Sequence, residues 1–288
     1  MEHPLNYAMG ALTLLLIAGG LLTWSGILRA LVARRPLVAY EPRALVPWTG
    51  FDLSILGLSA LVIQAIGVRL VADNGDGEFD VTSPHVMAAV IVSRIAWFAV
   101  ALVYLARKVG VYADDIGFDL RRLPYDLRLA GTTFLAAILP VYGLQYFVTQ
   151  VLGYKSEHPL VELTREQPSV GALSLMTLAA VVVAPLVEEF LLRVLVQGWL
   201  EKKQLEHRLR SDLMAPDEPA GFGPIIVSAA IFAALHGWPD QIALFVLSLF
   251  LGYLYQRTHR IIAPLAVHVC VNSLAAVELW RAFLVDGH

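Results

Sequence analysis

The chain has 288 residues, 58% hydrophobic and 16% charged, with a formal net charge of −3 and a mean hydropathy of +0.66. Soluble domains average about 45–50% apolar and about 25% charged, so both deviations argue against a soluble domain and for repeated passage through a bilayer. The slight acidity speaks against a nucleic-acid partner, and the single cysteine, Cys270, excludes an intrachain disulfide.

A membrane helix needs about 20 mainly apolar residues. The first apolar stretch runs from Tyr7 to Val32. It is too long for the core of a signal peptide, Met1-Glu2-His3-Pro4 supplies no positive flank, and no small-x-small cleavage site follows. It reads as a retained span. Further spans are expected at about 52–71, 86–106, 128–151, 171–197, 222–238, 240–256 and 261–284. The sixth and seventh are short, are joined by Gly237-Trp238-Pro239-Asp240, and need not cross fully. The expected fold is an all-α membrane protein, a polytopic helical bundle of about eight transmembrane helices.

Basic residues mark the orientation. Arg34, Arg35 and Arg43 follow the first span; Arg107, Lys108, Arg121 and Arg122 the third; Lys202, Lys203, Arg208 and Arg210 the fifth; Arg257 and Arg260 the seventh. The loop from Asp73 to Pro84 carries four acids and no base, and the loop near 152–170 is mixed (Lys155, Arg165). This pattern places the basic loops in the cytoplasm and both termini outside. The stretch Asp114 to Arg122, with Pro124 beyond it, reads as an interfacial connector, and 201–221 as a helix extension ending in a loop.

Three polar clusters interrupt the apolar runs of the C-terminal half. The first is Glu188-Glu189-x-x-x-Arg193. A charge at the bilayer centre costs about 2.5–3.5 kcal/mol on insertion scales, so ionisable groups kept there are functional by default. Glu189 and Arg193 are four apart and share a helix face, whereas Glu188 is rotated by about 100°. One carboxylate is then tied to the arginine while the other is left to act as a base toward water. A purely structural ion pair is the competing reading. The second cluster is Phe232-x-x-x-His236, at the end of a helix rich in small residues (Ser228, Ala229, Ala230, Ala233, Ala234) that permit close helix approach. Alone, His236 reads as a capping histidine. The third is His268-x-x-x-Asn272, on one face of the last span. Alone, it reads as interhelical glue. Together the clusters supply a base, a second proton handler and oxyanion donors, the inventory for attack of activated water on an amide. No serine sits in a nucleophile-like context, and there is no His-Glu-x-x-His zinc motif.

The ordered trio on apolar helices resembles the CPBP family, the type II CAAX prenyl proteases and bacteriocin-processing enzymes also called the Abi family. The resemblance covers about 125–285. It divides the chain into N-terminal accessory transmembrane helices (1–110) and an intramembrane protease core (111–288). It implies an endopeptidase acting on membrane-anchored or lipidated peptide substrates, located as a multi-pass protein in the bilayer and, in a bacterial host, in the cell membrane. Carried over by residue, Glu188 would activate water with help from His236. His268 and Asn272 would stabilise the oxyanion, and Glu189, Arg193 and Phe232 would organise the site. The family is often labelled metalloprotease, and Glu188, His236 and His268 could bind a divalent metal such as Zn through two nitrogens and one oxygen. A metal-free glutamate mechanism is weighted above it, because Asn272 and Arg193 suit an oxyanion role better than a ligand role.

Two other readings compete. A non-enzymatic immunity factor or scaffold of the same fold would need only packing, not all three motifs. An ion- or proton-coupled transporter could use buried Glu/His chains, but paired broken helices in two matching halves are not evident. The charge pattern also sets a geometric demand. It puts His236 near the outer end of span six and Glu188 nearer the inner end of span five. They can meet only if span six, roughly 16 residues or about 24 Å of helix, is short, displaced or preceded by re-entrant chain.

Overall fold

The computed structural model describes residues 4–72, 84–108, 110–154, 169–210 and 218–286, and every regular element among them is helical. The acidic loop after span two and most of the mixed loop after span four lie outside the described residues. In chain order the helices are α1 (Pro4–Val32), α2 (Gly50–Ala72), α3 (Pro84–Arg107), the single turn α4 (Ala113–Ile116) and α5 (Leu123–Tyr146). They continue with α6 (Val170–Arg210), α7 (Gly223–Ala234), α8 (Gln241–Thr258) and α9 (Ile262–Asp286). Six segments, α1, α2, α3, α5 with its flanking turns, α6 and α9, are long and apolar enough to cross a membrane.

The two short spans of the sequence are α7 and α8. α7 has 12 residues, about 18 Å of helix against a hydrocarbon core of about 30 Å. Pro224 sets its first turn, and the Gly237-Trp238-Pro239 turn prevents continuation. α6 runs the other way. It continues beyond the apolar span, which ends near 197, into the expected helix extension Gly198–Arg210, giving 41 residues in all.

α8 is the centre of the bundle, buried at Ala243, Leu247, Ser248, Leu251, Gly252, Leu254 and Tyr255 and packed against α5, α6, α7 and α9. Ala243, Leu247 and Leu251 of α8 meet Ala130, Ala137 and Val141 of α5 and Ala263, Val267 and Val271 of α9. Spacing by four, or by seven between Ala130 and Ala137, puts each set on one helical stripe, and the alanines let the backbones approach closely. α3 buries Val86, Ala89, Ser93, Trp97, Ala101 and Leu105, at one spacing of three followed by spacings of four. Trp97, Ala101 and Leu105 share a cluster with Leu56 of α2 and with Phe190, Val194 and Leu195 of α6. α1 is peripheral: Gly20 alone is buried, Trp24 Nε1 donates to the Ala136 carbonyl at 2.9 Å, and Leu14, Leu15 and Leu22 face outward.

The linker from α1 to α2 has little regular structure, yet it is stitched into the basic end of the bundle. Trp48 is fully buried and donates to the Leu195 carbonyl at 3.1 Å. Glu41 N donates to the Arg257 carbonyl at 2.8 Å, and Arg257 Nε donates to the Val38 carbonyl at 2.9 Å. Arg260 pairs with both Glu41 and the buried Asp126. Arg257 and Arg260 are thus structural ties.

His259 follows α8 in the left-handed region (φ 51°). Its Nδ1 lies 2.8 Å from the Glu41 carbonyl and its Nε2 3.3 Å from Glu201. Burial, then the nearby Arg43 charge, push its imidazole below the ordinary value of 6.5 despite the pull of Glu201. The folded state thus keeps His259 neutral where the unfolded chain has begun to take up a proton. The associated stability is complete above about pH 6.5 and is lost as pH falls from there through the lower folded value. The melting temperature in detergent is expected to be level above neutrality and to drop on acidification. His259→Asn, which tolerates the left-handed backbone, should lower the plateau and flatten the acid slope. An undiminished slope in that variant would assign it to other groups.

Candidate active site

The site forms where α6 departs from regular helix. Pro185 has no N–H to offer the carbonyl of Val181, and the preceding residues Ala179–Val183 widen into a π-helix. A second π segment, Phe190–Gln197, follows. There the Leu192 carbonyl accepts from Ser228 Oγ at 3.0 Å and the Leu195 carbonyl from Trp48, so outside donors enter the helical ladder. Glu188 and Glu189 close the regular turn between the two π segments (Ala184–Glu189), near the middle of α6 rather than near its inner end. Local π segments are frequent at functional sites.

The two glutamates occupy different environments. The Glu189 and Arg193 side chains are both 0% exposed and paired at 2.9 Å, whereas the Glu188 side chain is 23% exposed. His268 of α9, itself buried, joins them: Nδ1 is 3.0 Å from Glu189 Oε1 and Nε2 is 3.9 Å from Glu188 Oε2. An ionised carboxylate only accepts, so Nδ1 donates to Glu189 and Nε2 is turned toward Glu188.

α7 brings the second imidazole. Ser228, Phe232 and His236 follow at intervals of four along α7 and its exit. The buried Phe232 ring stands edge-on to His268 at 5.5 Å and tilted to His236 at 4.7 Å, with the Arg193 guanidinium 5.8 Å above its centre. His236 Nδ1 lies 2.7 Å from the Phe232 carbonyl; as the donor there, it leaves Nε2 as the acceptor. Gln241 Nε2 donates to the His236 carbonyl at 2.5 Å and holds the turn. α7 ends at Ala234, just before His236, which leaves this imidazole beside the Phe232 ring.

Contacts therefore run from Glu188 through His268 to Glu189 and Arg193, and through Phe232 to His236. Asn272 sits one turn beyond His268, but its Nδ2 donates to the Ala180 carbonyl at 2.7 Å. That bond pins α9 to the π segment ahead of the glutamates and leaves the second amide hydrogen for another acceptor. Among the described residues no three His, Cys, Asp or Glu side chains form a group that could hold a metal ion.

Residues 170–274 match the family model described as Type II CAAX prenyl endopeptidase Rce1-like. This segment is similar to that family, the one the ordered motifs resemble. The matched segment covers less than half of the chain but contains every motif residue from Glu188 to Asn272. It leaves α1 to α5 unmatched, including the part of the resemblance before 170. Together with the six long apolar helices, the family makes the chain an integral multi-pass membrane protein and implies protease activity of the CAAX type. Neither the curated proteins nor the solved structures returned a match.

Three parts of the site escape the motif reading. Ser228 and Ser248, both fully buried, accept from Arg193 Nη1 at 2.9 Å and Nη2 at 2.7 Å. Gln197 Nε2 donates to Glu201 Oε1 at 2.9 Å and to the Gly252 carbonyl at 2.8 Å. A Cβ on Gly252 would stand 2.9 Å from Gln197 Oε1 on α6 and 3.0 Å from Ile225 Cγ2 on α7, so any larger residue there has to push these side chains aside. Spacing offers a signal in hindsight: Ser228 lies one turn before Phe232, and Ser248 one turn before Gly252.

Proposed function

We propose that the chain is an intramembrane endopeptidase that cleaves peptide bonds of membrane-anchored or lipidated substrates by direct attack of activated water. One observation carries the reading. A buried imidazole is held by one carboxylate, Glu189, and faces a second, Glu188, whose side chain keeps access to a ligand.

The chemistry follows from those positions. Glu188 takes a proton from a water molecule as its oxygen bonds to the scissile carbonyl carbon. The carbonyl oxygen becomes an oxyanion. His268 in its doubly protonated form donates to it from Nε2 while Nδ1 stays on Glu189, and the second amide hydrogen of Asn272 donates alongside. Glu188 then returns its proton to the amide nitrogen, the C–N bond breaks, and an acid and an amine leave. The His236 Nε2 lone pair steadies the attacking water. Arg193 and Phe232 fix the orientation of both imidazoles. The reading gives activation of water to Glu188 itself, whose side chain is the more accessible of the two carboxylates. α1 to α3 act as accessory helices bracing α5 and α6, and residues 111–288 carry the chemistry.

The test is cleavage by the purified protein in liposomes of a panel of membrane-tethered peptides, with acyl, prenyl and transmembrane anchors. The expected result is a pair of products whose masses sum to the substrate plus one water. A folded protein that leaves every tethered peptide intact would remove the protease reading.

A further inference from the structure

The buried guanidinium of Arg193 has three directed hydrogen bonds. Nε donates to Glu189 Oε2 at 2.9 Å, Nη1 to Ser228 Oγ at 2.9 Å and Nη2 to Ser248 Oγ at 2.7 Å. Only one of these reaches the carboxylate. Arginine and a carboxylate left to themselves commonly form a fork with two parallel bonds, which would occupy both oxygens of Glu189. Here Oε1 is spared, and it is Oε1 that receives Nδ1 of His268.

We propose that Ser228 and Ser248 are positioning residues that hold Arg193 on a single oxygen of Glu189, so that the other oxygen stays free to orient His268. The role of His268 in catalysis rests on the protease reading above; the clamp itself does not. The serines sit on different helices, α7 and α8, and approach the guanidinium separately. Ser228 commits its own proton to the Leu192 carbonyl at 3.0 Å. Its oxygen therefore faces Arg193 as an acceptor, which gives the contact a direction and fixes α7 against the π segment of α6. The same α7 face continues to Phe232 and His236, so one clamp sets the carboxylate and the register of both imidazoles. With the hydroxyls removed, the guanidinium loses two acceptors in a site without water access. The acceptor it keeps is Glu189, and a forked pair displaces His268.

The test uses the full-length protein in detergent, with nitrogen-15 in its histidines and the His268 signals assigned by their loss in His268→Asn. In the wild type, Nδ1 of His268 is expected to show the signature of a protonated, hydrogen-bonded nitrogen. In Ser228→Ala/Ser248→Ala that signal should move. On tethered peptide, kcat per folded molecule should fall about 100-fold, the scale of a misplacement near 1 Å, with KM unchanged. An unmoved His268 signal in the folded double variant, or an unchanged kcat per folded molecule, overturns the proposal. If the double variant does not fold, Ser248→Ala alone, which keeps the tie between α7 and Leu192, is judged by the same two readings. If the wild type cleaves nothing, the protease reading fails, and the nitrogen signal still decides the clamp.

Discussion

Glu188→Ala is expected to abolish cleavage of a tethered peptide while leaving the protein folded. Loss of a general base costs about 10²–10⁴-fold in rate, and with no second carboxylate placed to take over, a fall of at least about 10³-fold is expected. Glu189 cannot substitute, because both of its oxygens are engaged, by Arg193 and by His268. Folding should be unaffected, because the Glu188 side chain is partly exposed and its His268 contact is a long one at 3.9 Å. Substitutions away from buried networks usually stay within about 0.5 kcal/mol. Glu188→Gln makes the comparison sharper: it keeps the shape, cannot take a proton, and should be as inactive as alanine. Cleavage rates and melting temperatures of the three proteins check this. A Gln variant retaining most of the activity would mean that Glu188 is not the base.

Arg193→Ala should have the opposite profile, with the fold failing first. Removing one member of a buried ion pair costs about 3–5 kcal/mol, because the remaining charge is left uncompensated. Here the stranded group is a fully buried carboxylate, and Ser228 and Ser248 lose a donor as well. The expected result is little folded protein on size exclusion and a melting temperature far below the wild type. Arg193→Lys should recover only part of it, since an ammonium is a point charge and cannot direct three bonds along the guanidinium plane. Replacing both members, as in Glu189→Leu/Arg193→Met, should restore much of the folded yield without restoring cleavage, because His268 would have lost its anchor. An Arg193→Ala protein that melts with the wild type would show that the pair is not the brace assigned to it.

The sequence carried the bundle well because lipid constrains composition strongly. Apolar runs near the required length stand out, and the 3.6-residue period puts Glu189 beside Arg193 and separates Glu188 from both. The shortness of α7 was legible in Pro224 and the Gly237-Trp238-Pro239-Asp240 turn. Other features left no distinct mark. The π segments around Glu188 do not alter the apolar pattern, so a regular helix and a widened one read alike. The apolar span ends near 197 and the polar stretch beyond it reads as a helix extension, but the sequence does not show that the two form one unbroken helix to Arg210, which puts the glutamates mid-helix. Ser228 was legible only as a small residue, and Ser248 not at all. A serine inside an apolar run looks the same whether it bonds its own backbone or clamps a neighbouring guanidinium. Asn272 pairs with a backbone carbonyl, a partner that no residue type announces. Trp48, in what reads as a loop, is fully buried because the linker folds back onto α6.

The most direct test of Glu188 as the base for water is a single turnover in heavy-oxygen water, with both peptide product and enzyme weighed afterwards. The account predicts one heavy oxygen in the new carboxyl terminus of the product and none in the Glu188 carboxylate. Heavy oxygen in that carboxylate, or a trapped covalent adduct between Glu188 and the peptide, would contradict it.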